Sequence, residues 1–291
     1  MRKQLKAFLI KSKIIHPDKP ARVNPELSAP PVTTNPVANT DSFGVGLRSA
    51  RLEGWFNEAD NSVYPGFTVS ADDTVLDLGC GDGGIVSFCA RANADIIIAD
   101  IDSAKIETTR QKLESLPAKS VRALVTDAAP LQLEDAAASR IICTEVLEHV
   151  DDPVGVVAEL VRVGKPGARY LISVPDASAE HIQKPVAADI YYLKPYHVHI
   201  FSREEFRALL ENAGLIVESH ELSSFYWALW WCFFWVSGQQ DLGNPNPTYP
   251  LLVSWAQTWQ LLLDAPNGPV LKRELDKHMA KSQVIVAYKP G

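Results

Sequence analysis

Cysteine is scarce and scattered in this chain. Cys80, Cys89, Cys143 and Cys232 stand far apart, in neither disulfide nor zinc-ligand spacing. A disulfide scaffold and a zinc module are therefore excluded, and the thiols read as the reduced, buried or ligand-adjacent groups of a cytoplasmic protein. Blocks of positive charge are missing too. The net charge is −7, and beyond the N-terminus no run of lysine or arginine could track phosphates, so no nucleic-acid partner is expected. No apolar run reaches the roughly 18–20 residues that cross a bilayer, and no internal repeat is visible. The opening MRKQLKAFLIKSKII is too interrupted for a signal-peptide core. A solvated tail is the expectation there, with contact to an anionic membrane as the alternative.

What is present supports a folded domain. Hydrophobic residues make up 46% and charged residues 22% of the chain, ordinary proportions for a protein that buries a real core. Residues 1–40 are set apart as a basic, proline-rich flexible tail, with Pro17, Pro20, Pro25, Pro30, Pro31 and Pro36 among few apolar side chains. The spacing of Leu47, Leu52, Trp55 and Phe56 predicts a leading helix over Leu47–Ala59 that packs across the next segment.

That segment is TVLDLGCGDGG, Thr74 to Gly84. A short apolar strand runs into a glycine turn and then into the helix beginning Ile85-Val86-Ser87. Glycines admit a ligand to the backbone, and the unpaired N–H groups of a helix start face it. Downstream the pattern alternates. Strands are expected at Ile96–Ala99, Val121–Val125, Arg140–Cys143, Tyr170–Val174, Leu215–Glu218 and Gln283–Tyr288. Helices are expected at Ser103–Leu116 (capped by Ser103), Asp152–Val163 and from Ser202 to Gly214, the last opened by a Ser202/Glu205 capping box. Strands alternating with helices predict a parallel sheet covered on both faces.

Residues 222–281 form an insertion ahead of the last strand. They hold Trp227, Trp230, Trp231, Trp235, Trp255 and Trp259, six of the seven tryptophans. Phe225–Val236 reads as a buried or interfacial helix with no polar face. Val253–Leu263 follows, then Val270–Met279 with Leu271, Leu275 and Met279 on one side. Position at the strand ends makes the insertion a candidate substrate lid or apolar pocket wall, against the plainer reading of an extra core and a third of membrane-interface contact.

Two ligands fit the glycine loop. Gly79, Gly81 and Gly84 satisfy G-x-G-x-x-G, the dinucleotide pattern, with Asp100 downstream. They also satisfy the looser loop that holds S-adenosylmethionine. Charge separates the two. Asp77 precedes the glycines and Asp82 lies among them, where carboxylates would repel a pyrophosphate but attract an ammonium and a sulfonium. Asp100 ends the second strand, where it can accept ribose hydroxyls. Asp127 follows the third strand, within reach of an adenine amine. Glu145, Glu148 and His149 follow the fourth.

The ordered series LDLGCGDGG, ADIDSAKI, TDAA, EVLEHV, GKPGARYLISVP and HVHIFSREEFRALLENAG resembles the class I S-adenosylmethionine-dependent methyltransferases, in the branch of ubiquinone-biosynthesis O-methyltransferases and related small-molecule enzymes. The resemblance covers Val75 to Glu218 and the final strand. It implies a Rossmann-like α/β fold, with a seven-stranded doubly wound sheet whose last strand is antiparallel. The core would span 41–221, the helical insertion 222–281 and the final core strand 282–291. S-adenosyl-L-methionine is the implied cofactor. Asp77, Gly79, Cys80, Gly81 and Gly83 would hold its methionine part, Asp100 and Ile101 the ribose and adenine, Asp127 and Ala128 the adenine amine, and Thr144 the back wall. Asp102 competes with Asp100 and is expected to face solvent or cap a helix. The expected acceptor is small, apolar or lipid-linked, and methylated at oxygen. His149 is the first candidate base, with His197 and His199 behind it. Some relatives use a Glu-x-x-Glu-His cluster to hold a divalent metal; Glu145, Glu148 and His149 match that spacing, with His197 or His199 to complete it. No metal is assigned from the sequence.

Overall fold

The computed structural model describes residues 40–242 and 245–291. The expected flexible tail, and any membrane contact through it, lies outside the described residues except for Thr40. A short hairpin, β1 (Ser62–Tyr64) and β2 (Phe67–Thr68), precedes the main sheet; it was not among the expected elements, although Pro65-Gly66 marks its turn between β-branched and aromatic residues. The sheet strands are β3 (Thr74–Leu78), β4 (Asp95–Asp100), β5 (Ser120–Val125), β6 (Ala138–Thr144), β7 (Gly164–Pro175), β8 (Ile216–Ser223) and β9 (Ser282–Tyr288). They lie in the order β5-β4-β3-β6-β7-β9-β8. β3 to β7 pair in parallel, while β9 runs antiparallel to both neighbours, so the last strand alone is reversed.

Strands buried on both faces need continuous apolar runs, and alternate side chains feed opposite layers. Val75, Ile96, Ile98 and Ile142 pack toward α2 (Gly84–Arg91), α3 (Ser103–Glu114) and the hairpin. Leu76, Ile97, Ile141 and Cys143 pack toward α4 (Pro153–Val163) and α6 (Arg203–Asn212). α5 (Ala177–Gln183) and a 3₁₀ turn (Asp189–Tyr192), neither foreseen, follow β7. The capping box that opens α6 is formed as expected: Ser202 Oγ accepts from Glu205 N–H at 3.2 Å and Glu205 accepts from Ser202 N–H at 3.0 Å. The cap of α3 is Asp102 rather than Ser103; its carboxylate accepts from Ala104 N–H at 2.8 Å. Aspartate reaches the first-turn donors and favours the positive end of the helix.

The leading helix also differs from expectation. α1 spans Ser42–Leu52, and its buried face is Ser42, Val45, Gly46 and Ser49. Leu47 and Leu52 are exposed. α1 packs on the aromatic helices of the insertion, not over the glycine loop. Small residues win its inner face because Trp227 lies against it: a Cβ on Gly46 would fall 2.4 Å from the indole.

The insertion supplies α7 (Phe225–Val236), α8 (Pro250–Asp264) and α9 (Gly268–His278). Tyr226, Trp230, Phe234, Trp235, Leu252, Trp259 and Leu263 turn inward on one another and on Val45, building a third apolar core. No helix among the described residues is long and apolar enough to cross a membrane. On α9 the buried stripe is Lys272 and Asp276 rather than Leu271, which is exposed. The Lys272 ammonium, fully buried, pairs with Glu53 beyond the end of α1 and with Asp276 at 2.6 Å. Asp276 also accepts from the first N–H of α7 (Phe225) at 2.8 Å, and Ser223 Oγ–H donates to Glu53. One buried ion cluster thus ties α1, α7, α9 and the end of β8 together.

Removing one partner of such a cluster strands buried charge. Lys272→Ala is expected to cost about 3–5 kcal/mol of stability, read as a lowered urea midpoint. A loss under about 1 kcal/mol would show that the aromatic core, not the ion cluster, fixes these helices.

Candidate functional site

The parallel strands place their carboxyl ends together, and every predicted site residue lies there. At the first of two regions, the chain leaves β3 through Gly79, Cys80, Gly81 and Gly83. Gly79 and Cys80 N–H both donate to Ala99 O (2.7 and 3.2 Å), which lashes the loop to β4. The glycines differ in what they accommodate. A Cβ on Gly79 would lie 2.2 Å from Val146, and one on Gly83 would lie 2.6 Å from Thr109, so the chain itself occupies those sides. Beside Gly81, at φ 49°, nothing lies within 4 Å. That is where a ligand can approach the backbone.

Asp100 braces this opening. Its carboxylate accepts from Gly81 N–H at 3.0 Å and from Asp102 N–H at 2.9 Å. Asp77 lies beneath the loop and is buried; burial, and then the Asp100 charge, push its carboxyl up to about 8. The Cys80 thiol is pushed up to about 12 by burial and by Asp77 and Asp100. Ile101 is 75% exposed beside the opening. Asp127 is exposed, and Ala128 is buried at φ 77° with its N–H donating to Thr126 Oγ1 at 3.1 Å. Thr144 ends β6 half-buried. Asp82 is exposed, so water screens it and the acidity of the loop rests on Asp77.

The second region follows β6 and β7. Glu145, at φ 55°, is held by Ser173 Oγ–H at 2.9 Å and by the Lys281 ammonium. Against the cost of burial, Lys281 holds the Glu145 carboxyl below its ordinary value. Glu148 is fully buried, neither carboxylate oxygen has a hydrogen-bond partner, and burial with the nearby Glu145 raises its pKa well above the ordinary value. His149 Nε2 lies 3.6 Å from Glu148 Oε1, and its Nδ1 lies 3.1 Å from Pro195 O. A carbonyl only accepts, so Nδ1 carries the proton and Nε2 keeps the lone pair. Burial and then His197 hold the His149 pKa below its usual value.

His197 stands against His149 with ring centroids 5.0 Å apart, and its Nδ1 lies 3.4 Å from Glu180 Oε2. His199 instead points to Val150 O at 2.9 Å and takes no part. Glu180, on α5, accepts from Gln183 at 2.8 Å and from Tyr191 OH at 3.2 Å. Gln183 in turn accepts from Trp235 Nε1–H at 3.1 Å, which links the cluster to the aromatic helix α7. One ligand atom each from Glu148, His149 and His197 lies within 4.8 Å of the others. Sequence reasoning missed Glu180 and Lys281. Glu180 sits in a helix without a motif, and Lys281 precedes the last strand with nothing local to mark it. An open groove of about 590 Å³ along β8, walled by Tyr64, His220 and Arg273, shares no residue with either region.

Gly79→Ala is expected to destabilise the fold by about 1–3 kcal/mol through its collision with Val146. Thermal melts of the single variant and of Gly79→Ala with Val146→Ala test this. The second change should recover part of the loss; an equal or larger loss would place the cost in the backbone angle alone.

A family profile described as a methyltransferase domain matches residues 51–220, more than half of the chain. A ubiquinone biosynthesis O-methyltransferase from Hahella chejuensis is 31% identical over 151 residues, which cover 48% of this chain and 62% of that protein. The chain spans about half the length of the first curated relatives it matches, from 36% to 62%. Among solved structures, a geranyl diphosphate methyltransferase in complex with S-adenosylmethionine superposes at TM-score 0.52 and 15% identity, over 84% of this chain and 86% of that one. A [4+2]-cyclase superposes as well, at TM-score 0.52 and 18% identity over 84% and 81%. At those identities the likeness is one of fold alone.

Proposed function

The chain belongs to the methyltransferase-domain family, and on that premise we propose that it transfers the methyl group of S-adenosylmethionine to a hydroxyl of a small apolar or lipid-linked acceptor. The observation that carries the choice of cofactor is Asp77, a buried carboxyl on the strand that leads into the loop where Gly81 is open. A buried acid without a compensating charge favours a cationic ligand, and a pyrophosphate would raise its cost further. Asp77, Gly79, Cys80, Gly81 and Gly83 are proposed to hold the methionine part. Asp100 keeps acceptor capacity for the ribose hydroxyls after bracing Gly81, and exposed Ile101 offers an apolar face to the adenine. Asp127, Ala128 and Thr144 complete the wall.

Bound S-adenosylmethionine supplies a methyl group already activated by its sulfonium. What remains for the protein is to align the acceptor in line with that methyl, exclude water and take a proton. The Nε2 lone pair of His149, at the partly exposed rim of the second region, is the proposed base; its lowered pKa keeps it neutral near pH 7. The orphaned Glu148 oxygens favour a second reading of the same cluster. The divalent metal that the Glu-x-x-Glu-His resemblance implies fits Glu148, His149 and His197, but not Glu145, whose carboxylate is engaged by Lys281 and Ser173. There the metal would act as a Lewis acid toward the acceptor oxygen. Support for an apolar acceptor comes from the aromatic core joined to this cluster through Trp235 and Gln183.

Calorimetry tests the cofactor. S-adenosylhomocysteine is expected to bind and NAD not to; the reverse would overturn the reading. Asp100→Asn should weaken S-adenosylhomocysteine more than tenfold, since a charge-assisted hydrogen bond contributes roughly 1.5–3 kcal/mol. Asp82→Asn should leave the affinity nearly unchanged.

Asp77 makes binding pH-dependent. Its folded pKa, about 8, lies above the ordinary value, so at pH 7 the free protein holds a proton there. An ammonium beside it favours the ionised form, so binding releases a proton and the affinity rises from pH 6 to 8. In the free protein the same shift means stability lost as pH rises toward 8. Titrations at pH 7 in two buffers of different ionisation enthalpy should show proton release that Asp77→Asn removes.

A further inference from the structure

Within the glycine loop lies a β-turn whose central peptide the turn itself does not hold. Gly83 N–H donates to Cys80 O at 2.9 Å, which closes the turn Cys80-Gly81-Asp82-Gly83. Gly81 has φ 49° while Asp82 is not at positive φ, the signature of a type II′ turn. The central peptide, Gly81 C=O with Asp82 N–H, takes no part in the closing hydrogen bond. Turning it over converts II′ to I′ and asks only that Asp82 become left-handed, which aspartate tolerates.

A side chain of α3 fixes this peptide. Thr109, fully buried, donates its Oγ1–H to Gly81 O at 2.8 Å, across 28 positions of the chain. A helical threonine can bond back to its own preceding turn; Thr109 is directed onto the loop instead. Its approach requires glycine at 83, because a Cβ there would fall 2.6 Å from the Thr109 methyl. A trans peptide points its C=O and N–H in opposite directions, so the Asp82 N–H faces away from α3. That N–H has no acceptor among the described residues. The peptides on either side are held by other means. Asp100 accepts from Gly81 N–H at 3.0 Å. Lys112 donates to Asp82 O at 3.1 Å, in a peptide whose N–H, that of Gly83, already closes the turn.

We propose that Thr109 is a positioning residue for the cofactor: it fixes the Gly81–Asp82 peptide so that the Asp82 N–H is presented to the carboxylate of S-adenosylmethionine. The proposal rests on the methyl-transfer reading of this loop. The cofactor's ammonium and sulfonium suit the acids around the loop, but its carboxylate needs donors, and the loop side chains Asp82 and Asp100 are themselves acids. Backbone N–H groups are what the loop offers it, as a charge-assisted hydrogen bond. Only a peptide held in one orientation offers that donor without first being ordered, and ordering is a cost that binding would otherwise bear.

The test is calorimetric titration of the full chain with S-adenosylhomocysteine and with its decarboxylated analogue, which keeps the adenosine, sulfur and ammonium. Thr109→Val keeps the shape and removes the hydroxyl. It is expected to weaken S-adenosylhomocysteine about tenfold, as for a lost hydrogen bond to a charged group, and the analogue less than about threefold. Thr109→Ser keeps the hydroxyl and should restore the affinity. Lys112→Met should leave both affinities nearly unchanged, since the turn already holds its peptide. A second readout needs no ligand: the carbon-13 resonance of the Gly81 carbonyl should move in Thr109→Val and not in Lys112→Met. Equal weakening of both ligands by Thr109→Val would show a merely structural role and overturn the proposal. Unchanged affinity for S-adenosylhomocysteine in that variant, or no restoration by Thr109→Ser, would overturn it too. If Thr109→Val does not fold, Thr109→Ala set against Thr109→Ser makes the same contrast. Binding of neither ligand by the unmodified protein overturns the cofactor reading, and the proposal with it, an outcome distinct from a failure in the variants alone.

Discussion

One reversed strand organises the site. β9 lies between β7 and β8 and runs against both, so its first residue meets the last residues of its neighbours: Ser282 opposite Pro175 and Ser223. The chain therefore leaves β8 and enters β9 at the same end of the sheet, the end where the parallel strands open. Everything between, α7 to α9, is anchored at that end at both its termini. Lys281, immediately before β9, is delivered to Glu145 for the same reason. Had β9 run parallel, that ammonium would sit at the opposite end of a seven-residue strand, roughly 20 Å away.

The two regions at the strand ends share an electrostatic plan. Each buries carboxyl groups that its own cations do not fully balance. Asp77 lies under the glycine loop, and Glu148 and Glu180 lie behind His149 and His197. Burying acid is costly unless a partner arrives, so a ligand carrying positive charge would stabilise either region. Away from the strand ends, the buried Lys272 ammonium is paired with Glu53 and Asp276. The unpartnered oxygens of Glu148 and Glu180 lie where chemistry is proposed, and the aromatic core is joined to them through the indole of Trp235.

Much of the architecture was legible in the residues. Ile96, Ile97 and Ile98 form a strand buried on both faces because no polar face interrupts them, and Ser202 with Glu205 caps a helix because the spacing matches the donors. Errors arose where side chains face a partner distant in sequence. α1 buries serines and a glycine because an indole from the insertion lies against it. α9 buries Lys272 because Glu53 is there to receive it. Hydrophobic periodicity assumes an apolar partner, and it inverts where the partner is an aromatic edge or an ion.

By itself the sequence determined the strand–helix alternation, the glycine loop, the acidic residues at the strand ends and the family they resemble. These depend on local spacing, and local spacing is written in the chain. Only the tertiary structure decided which acids are buried and unpaired, that His197 rather than His199 meets His149, that Glu180 lies beside His197 and that Lys281 engages Glu145. Burial and charge pairing are properties of neighbours in space, and here Glu145 and Lys281, neighbours in the site, lie 136 residues apart in the chain.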